Sequence, residues 1–288
     1  MVERMIRTNG VHLCVESFGD KSDPAVLLIM GASASMLDWD EQFCQRLADA
    51  GRFVIRYDNR DTGRSTSYPP GAPPYTLRDL VADAVGLLDA LDVPTAHLVG
   101  MSMGGAIAQL IALDYPQRVT TLTLLSSSPG GPGHPYDDLP NNATDNGTNA
   151  DASPAEPNWA DRAAVIEHYL AAYRPYAGSH GFDESAMRDR AARVVDRTTN
   201  MASGANHFIL DPGEPWRDRL SSLRVPTLVL HGTEDHFLPL GHGIALAREI
   251  AGAEFVAMPR TGHEVPPHCV WDIVIPAIVR HTTARSSA

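Results

Sequence analysis

The stretch HLVGMSMGGAIAQLIA, residues 97–112, changes from strand-like to helix-like character around a single serine. It begins with a short apolar run and ends with apolar residues at helical spacing over 106–111. Ser102 lies between them, with Gly100 two positions before it and Gly104 two positions after it. One interpretation is a glycine turn that only lets a strand and a helix pack closely. We favour the other, a sharp strand–helix turn that lifts the serine oxygen clear of the backbone as a nucleophile.

Two loops farther along the chain supply the groups that such a serine needs. Serine is a weak nucleophile at neutral pH, so a base must take its proton and an acid must orient the base. The loop after the predicted strand 227–231 contains Asp235, and the loop after the predicted strand 254–258 contains His263. Serine, acid, histidine is the chain order of this kind of site. We therefore predict Ser102 as nucleophile, Asp235 as acid and His263 as base.

Neighbouring residues offer weaker alternatives to this triad. Glu234 adjoins Asp235, but adjacent side chains point in different directions, so only one of them can reach the base. His231 closes a predicted strand and is interpreted as a structural histidine, while His268 follows two prolines beyond the expected position of the base. The histidines and acids within 231–242 do not have the spacing of a compact metal-ligand set. We expect neither a metal nor a cofactor.

Backbone amides beside the serine are the predicted stabilisers of a negatively charged oxygen. The N–H of Met103, the residue after the serine, is the first candidate donor. The second should come from the loop after the predicted strand 25–30, where Gly31 is followed by Ala32. We predict the amide of Ala32 as that donor and Gly31 as a residue lining the substrate site. The polar loop RYDNRDTGRS, residues 56–65, is interpreted as a structural brace of this turn.

Short apolar strands alternate with amphipathic stretches through much of the chain, which predicts an α/β fold with a doubly wound, mostly parallel sheet. From Pro129 onward the strand pattern stops, and it returns only at residue 225. The predicted organisation is a core formed by 1–129 and 217–288, interrupted by a helical cap over 130–216. The first part of this cap is rich in Pro, Gly, Asn and Asp and is loop-like.

Composition limits the classes of protein to which the chain can belong. The net charge of −12 over 288 residues makes nucleic acid an unexpected partner, because phosphate contacts need clustered Lys and Arg. No apolar run approaches the roughly 20 residues that cross a bilayer, so no membrane partner is expected. The opening MVERMIRTNG has no apolar stretch behind it, and the three cysteines form no CxxC pair, which favours a cytoplasmic protein. The oligomeric state stays open.

The motifs together resemble the α/β-hydrolase fold superfamily over roughly 20–127 and 222–285. More narrowly, IRYDNRDTGRST, VGMSMGGAIAQLIALDYPQRV and HGTEDHFLP are similar to polyketide-tailoring esterases of actinobacteria. The nearest group is that of the aclacinomycin-type anthracycline methylesterases. The resemblance implies a serine hydrolase that removes a methyl ester from a hydrophobic tetracyclic aglycone held between core and cap. A β-keto acid released in this way could then lose carbon dioxide.

Apolar residues near the predicted site suit a bulky, planar substrate. Phe237 lies two residues beyond the acid, Val265 lies two residues beyond the base, and Phe208 lies near the end of the cap. We predict that these three residues contact the substrate, since aromatic walls bury large apolar areas and stack with rings. The alternative is that each merely attaches the cap to the core. The cap contributes further aromatic and methionine residues, for which the same two interpretations hold: Trp159, Tyr169, Tyr173, Tyr176, Met187 and Met201.

Two other functions remain open from the sequence. Related cores also occur in C–C bond hydrolases and lactonases, which use the same nucleophile on small cyclic substrates. A hydrolase-like protein that only binds a ligand is the alternative from a different class, and the intact predicted triad argues against it. Epoxide hydrolases and dehalogenases would need a carboxylate in place of Ser102.

Overall fold

A computed structural model describes residues 2–130, 138–140 and 154–283, and within them one sheet of eight strands in the order β1-β2-β4-β3-β5-β6-β7-β8. The strands β1 and β4 pair antiparallel with β2, and all other pairs are parallel. The α/β fold with a mostly parallel sheet is therefore confirmed. The strands are β1 Arg4–Thr8, β2 Val11–Phe18, β3 Ala25–Ile29, β4 Phe53–Tyr57, β5 Ala96–Met101, β6 Val119–Leu125, β7 Thr227–Gly232 and β8 Glu254–Met258.

Helices cover both faces of the sheet. The helices are α1 Glu41–Asp49, α2 Leu77–Ala90, α3 Met103–Asp114, α4 Arg162–Tyr173, α5 Glu184–Arg197, α6 Gly241–Glu249 and α7 Trp271–His281. Helices α2 and α3 pack into one core cluster, and α1 and α7 pack into the cluster on the opposite face. Because both faces are covered, β3 to β5 are buried along their whole length and are almost continuously apolar. None of the described helices is long and apolar enough to cross a membrane.

Three elements of the core, β1, α1 and α7, were not predicted from the sequence. Strand β1 lies at the edge of the sheet and is half exposed, so its sequence RMIRT lacks a clear apolar face. Helix α1 is nine residues long and begins at the N-cap Asp40, whose carboxylate accepts the N–H of Gln42 at 2.7 Å. Helix α7 contains Pro276, a residue that usually marks the end of a helix.

The chain between β6 and β7 forms a separate group of helices, of which the described part includes no strand. Helices α4 and α5 lie here, and their bounds are within three residues of the helices that the sequence pattern predicts over 159–172 and 184–200. They are followed by 3₁₀ turns, the longest of which is Met201–Ile209. We call residues 154–216 the cap segment. The predicted division into core and cap stays a prediction, and the loop-like first part lies mostly outside the described residues.

His97, a buried histidine near the beginning of β5, makes the stability of the fold depend on pH. His97 is 4% exposed, and its Nδ1 lies 2.9 Å from Thr121 Oγ1. Burial, assisted by the nearby positive charge of Arg52, lowers the pKa of His97 to about 4. The unfolded chain, with a histidine pKa of about 6.5, therefore takes up a proton between pH 6.5 and 4 that the folded chain does not.

We expect the contribution of His97 to stability to be complete above pH 6.5 and to be lost as the pH falls towards 4. The measurement is Tm from pH 7.5 to 5 for the wild type and for His97→Asn, whose amide does not titrate. The wild type should lose more degrees of Tm than the variant over this range. Parallel curves would show that His97 does not bind fewer protons in the folded state.

Candidate active site

The turn at Ser102 joins β5 directly to α3 and is tightly packed. Ser102 has φ 52° and ψ −119°, a left-handed conformation that is strained for a residue with a side chain. A Cβ at Gly100 would lie 2.2 Å from the carbonyl oxygen of Gly104. A Cβ at Gly104 would lie 2.2 Å from the carbonyl oxygen of Ile29 at the end of β3. The two glycines are thus needed for the turn to fit against the sheet.

The three residues predicted as a triad lie in one hydrogen-bonded chain. His263 Nε2 is 3.0 Å from Ser102 Oγ, and His263 Nδ1 is 2.8 Å from Asp235 Oδ2. The other carboxylate oxygen of Asp235 accepts the N–H of Leu238 at 2.7 Å, which fixes the carboxylate. Because an ionised carboxylate can only accept, Nδ1 carries the hydrogen and Nε2 is free to accept the serine proton. The arrangement can generate a nucleophilic serine oxygen.

The weaker alternatives occupy other places. Glu234 accepts the N–H and the Oγ–H of Ser179 in the cap segment, at 2.6 and 2.8 Å, and these bonds lower the pKa of its carboxyl. His231 is fully buried, lies 2.7 Å from the carbonyl of Leu238 through Nε2, and has its pKa lowered by burial. The side chain of His268 is 66% exposed. Across the described ranges no three His, Cys, Asp or Glu residues are grouped as a metal site requires.

The cap segment contacts both the loop that carries His263 and the loop that carries Asp235. The N–H of Ser179 donates to Glu234, the residue before Asp235. The carbonyl of Ser179 accepts a hydrogen bond of 2.7 Å from Arg260 Nη2. Glu264, the residue after the base, accepts the N–H of Gly178 at 2.9 Å. A Cβ at Gly178 would lie 1.9 Å from the carbonyl oxygen of Arg260, so the two backbones are in direct contact. The position of these two loops therefore depends on the cap segment as well as on the sheet.

Of the two residues predicted as oxyanion donors, Met103 follows Ser102 in the chain, and Ala32 follows Gly31, which packs against Ser102. Met103 is the first residue of α3, and the N–H groups of a first turn have no acceptor within their own helix. Gly31 lies against the serine, since a Cβ there would be 3.3 Å from the Cβ of Ser102. Ala32 follows it and begins a turn that is partly exposed. That the amides of Met103 and Ala32 bind an oxyanion stays a prediction.

The polar loop after β4 braces the loop after β3, which carries Ala32, through a residue that the sequence did not single out. Asp58 is completely buried, and its carboxylate accepts the N–H of Met36 at 2.8 Å and the hydroxyl of Ser35 at 3.1 Å. It also forms an ion pair of 2.8 Å with Arg197 of α5. Asp58 thus connects the loop after β3, its own loop and the cap segment. Its position directly after a buried strand was the only signal in the sequence.

Of the three predicted apolar lining residues, Phe237 packs against His263. Its ring centroid is 4.7 Å from that of His263, and Tyr176 of the cap segment packs perpendicular to it at 5.7 Å. Val265 is partly buried against the core cluster that includes Trp271. Phe208 is 66% exposed on the 3₁₀ turn of the cap segment. Phe237 and Tyr176 therefore form an aromatic wall beside the base.

Two other cap aromatics attach the cap segment to the core. Tyr169 and Tyr173 stack at 4.4 Å and donate hydrogen bonds of 2.8 and 3.4 Å to the buried carboxylate of Asp38. Burial raises the pKa of Asp38, although Arg190 at 3.8 Å and the two hydroxyls act in the opposite direction. For these two tyrosines the attachment role considered from the sequence is the one observed.

Comparison with known proteins places the chain among hydrolases. A family model described as alpha/beta hydrolase fold matches residues 24–266. Rhodomycin D methylesterase DauP of Streptomyces sp. (strain C5) is 34% identical, covering 99% of this chain and 100% of that protein. A 2-hydroxy-6-oxononadienedioate/2-hydroxy-6-oxononatrienedioate hydrolase of Burkholderia vietnamiensis is 28% identical over 83% of this chain and 80% of its own. Among solved structures, a thermophilic esterase from Thermogutta terrifontis is 25% identical with a TM-score of 0.72, covering 99% of this chain and all of that one.

Proposed function

Since the chain belongs to the alpha/beta hydrolase fold family, we propose that it hydrolyses the methyl ester of a polycyclic polyketide of the anthracycline type. The observation that carries the proposal is the continuous chain from Ser102 Oγ through His263 to Asp235. The methylesterase relative that matches along its whole length supports the ester as the bond cleaved. The substrate in the name of that relative, rhodomycin D, supports a substrate of that class.

In the first half of the proposed reaction, Ser102 becomes acylated. His263 Nε2 accepts the hydroxyl proton as Ser102 Oγ attacks the ester carbonyl, while the carboxylate of Asp235 stabilises the imidazolium. The amides of Ala32 and Met103 donate to the oxyanion of the tetrahedral intermediate. The intermediate collapses, the C–O bond to the methoxy group breaks, and Nε2 returns the proton to the departing methanol.

In the second half, water releases the acid. The methanol site is filled by water, which gives a proton to His263 Nε2 and attacks the acyl carbonyl. The second tetrahedral intermediate breaks the bond to Ser102 Oγ, which takes the proton back. The balance is ester plus water to acid plus methanol, and it needs no cofactor. Where the acid carries a β-keto group, loss of carbon dioxide can follow without further help from the protein.

The aromatic wall beside the base favours a planar substrate. Phe237 and Tyr176 present ring faces and edges next to His263, so rings attached to the scissile ester would lie against them. Stacking of this kind contributes about 0.5–1.5 kcal/mol beyond the apolar area buried. A short aliphatic ester has no ring that could pack against Phe237 and Tyr176. The wall is therefore expected to discriminate by substrate size.

We expect kcat/KM for an anthracycline-type methyl ester to exceed that for methyl butyrate by a wide margin. Phe237→Ala and Tyr176→Ala should each remove about 10-fold of this preference, from the loss of stacking and of buried area. Phe208→Ala, at a more exposed position, should have a smaller effect. Trp159→Ala is the control, because Trp159 packs against His168 rather than against the triad. Equal efficiency on both esters would contradict the polycyclic substrate.

A second candidate function is hydrolysis of a carbon–carbon bond. The relative from Burkholderia vietnamiensis is the observation in its favour, because the hydroxy-oxo-dienedioate in its name has no ester bond and its hydrolysis into two parts has to break a carbon–carbon bond. Incubation with a panel of methyl esters, lactones and β-diketones, followed by mass spectrometry of the products, separates the two. Methanol and a free acid from the methyl esters alone support the proposed function, whereas cleavage of the diketones alone supports the alternative.

A further inference from the structure

The turn that carries Ala32 forms two hydrogen bonds with the cap segment. The N–H of Ser33 donates to His207 Nδ1 at 2.9 Å, and the hydroxyl of Ser33 donates to the carbonyl of Gly204 at 2.7 Å. Ser33 has φ 61°, in the left-handed region that residues with side chains seldom adopt. A Cβ at Gly204 would lie 3.0 Å from Ser33 Oγ, so the two segments are closely packed. These contacts hold Ser33 in a conformation that it would otherwise leave.

His207 connects this turn to the polar loop after β4. Its Nε2 lies 2.7 Å from the carbonyl oxygen of Arg60. Because a carbonyl can only accept, Nε2 carries the hydrogen, and Nδ1 has the lone pair that accepts the N–H of Ser33. The ring is 6% exposed, and burial lowers its pKa, which favours the neutral form in which Nδ1 remains an acceptor. One buried imidazole thus bridges two loops of the core.

The bridge acts on the peptide next to the predicted oxyanion donor. The N–H of Ser33 belongs to the peptide unit that joins it to Ala32. On the other side of Ala32, Gly31 is packed against the Cβ of Ser102. The amide of Ala32 therefore lies between two neighbours that are both fixed. An oxyanion donor is effective when it is positioned before the reaction, and a small displacement weakens it.

We propose that His207 is a positioning residue for ester hydrolysis, whose Nδ1 holds the 32–33 turn so that the amide of Ala32 points at the developing oxyanion. This role rests on the proposed function. The oxyanion exists only in the transition state and the intermediates, so His207 affects kcat rather than KM. A histidine that only stabilised the fold would change Tm and leave the turnover of the folded protein unaltered.

Two substitutions separate the hydrogen bonds of the ring. His207→Asn places an amide oxygen where Nδ1 lies, so it keeps an acceptor for the N–H of Ser33 and loses the bond to Arg60. His207→Gln places an amide N–H near Nε2, so it keeps the donor to Arg60 and loses the acceptor for Ser33. The measurements are kcat and KM for a chromogenic ester, and Tm, on the full-length proteins. His97→Gln is the matched control, a buried histidine at the opposite end of the sheet.

We expect His207→Gln to lower kcat by about 10- to 100-fold, somewhat less than the outright loss of an oxyanion donor. KM should change little, His207→Asn should retain most of the wild-type kcat, and His97→Gln should lower Tm alone. An unchanged kcat in His207→Gln, or equal losses in both His207 variants, would overturn the role, provided that Ser102→Ala is inactive in the same assay. Turnover that survives Ser102→Ala would instead overturn the proposed function itself.

Discussion

Ser102→Ala should almost abolish turnover of a methyl ester and leave only the small residual rate that binding and the oxyanion donors support. The substitution removes the only atom that the proposed mechanism joins to the acyl group, and the loss for a serine nucleophile is on the order of 10⁶ in kcat in the protease template. The fold should be unaffected, because alanine retains the Cβ that packs against Gly31 and lacks only the oxygen bonded to His263. The measurement is kcat on purified protein, with Tm and circular dichroism as tests of folding.

The control for this experiment is Ser127→Ala, a nearby serine whose hydroxyl donates to the carbonyl of Ser102 at 3.0 Å. This change should reduce kcat far less, because the hydroxyl of Ser127 does not face the base. If Ser102→Ala kept substantial activity while Ser127→Ala lost it, the nucleophile would have been assigned to the wrong serine.

Asp235→Asn should be the second most damaging substitution, with a loss on the order of 10⁴ in kcat as in the serine-protease template. Asparagine presents an amide N–H₂ or a neutral oxygen to His263 Nδ1, so the ring is no longer held with its hydrogen on that nitrogen. Nε2 then ceases to be a reliable acceptor for the serine proton. The variant also lacks the negative charge of Asp235 that stabilises the imidazolium. Asp235 is only 4% exposed, so water cannot replace this charge.

Glu234→Gln is the matched control, because it makes the same chemical change one residue earlier in the chain. Glu234 is bonded to Ser179 rather than to the base, so we expect a small effect on kcat. A modest loss of Tm is compatible with its role in attaching the cap segment. The reverse ranking, with Glu234→Gln the more damaging, would contradict the assignment of the acid.

The turn at Ser102 and the grouping of Ser102, Asp235 and His263 could be predicted because their signals are local. The glycines around Ser102 are within two residues of it, and each partner follows a predicted strand at the same edge of a parallel sheet. Parallel strands bring their carboxyl ends together, so the order of strands sufficed to bring Asp235 and His263 to Ser102. The largely apolar runs of β3 to β5, in which Arg56 is the one Arg, Lys, Asp or Glu residue, made those strands easy to recognise.

The bridging residues could not be predicted, since their partners are far away in sequence. His207 meets Ser33 and Arg60 only because the cap segment folds back over two loops of the core. A histidine near the end of a polar segment gives no indication of such contacts. Asp58 was likewise one of several acids in a polar loop, and only its burial distinguishes it. The left-handed φ of Ser33 has no signal at all in the sequence.

The cap aromatics show the same limit in another form. Sequence placed all of them in one segment, and composition alone could not separate those that face the base from those that attach the cap. Tyr176 lies beside Phe237 and His263, whereas Tyr169 and Tyr173 turn towards the buried carboxylate of Asp38. Tyr169 and Tyr173 lie in α4, and Tyr176 lies in the 3₁₀ turn that follows it. The direction in which each side chain leaves the backbone therefore decides its role.

The most direct test of the central claim is to map the residue that an active-site phosphonate labels. An alkyl fluorophosphonate imitates the tetrahedral intermediate, and attack by an activated serine displaces fluoride and leaves a stable phosphonyl ester. Peptide mapping by mass spectrometry should find one adduct, on Ser102, at the rate at which ester hydrolysis is lost. The adduct should be missing in Ser102→Ala and strongly slowed in His263→Ala. Inactivation accompanied by an adduct on another residue, or full hydrolysis by a protein labelled at Ser102, would contradict the account.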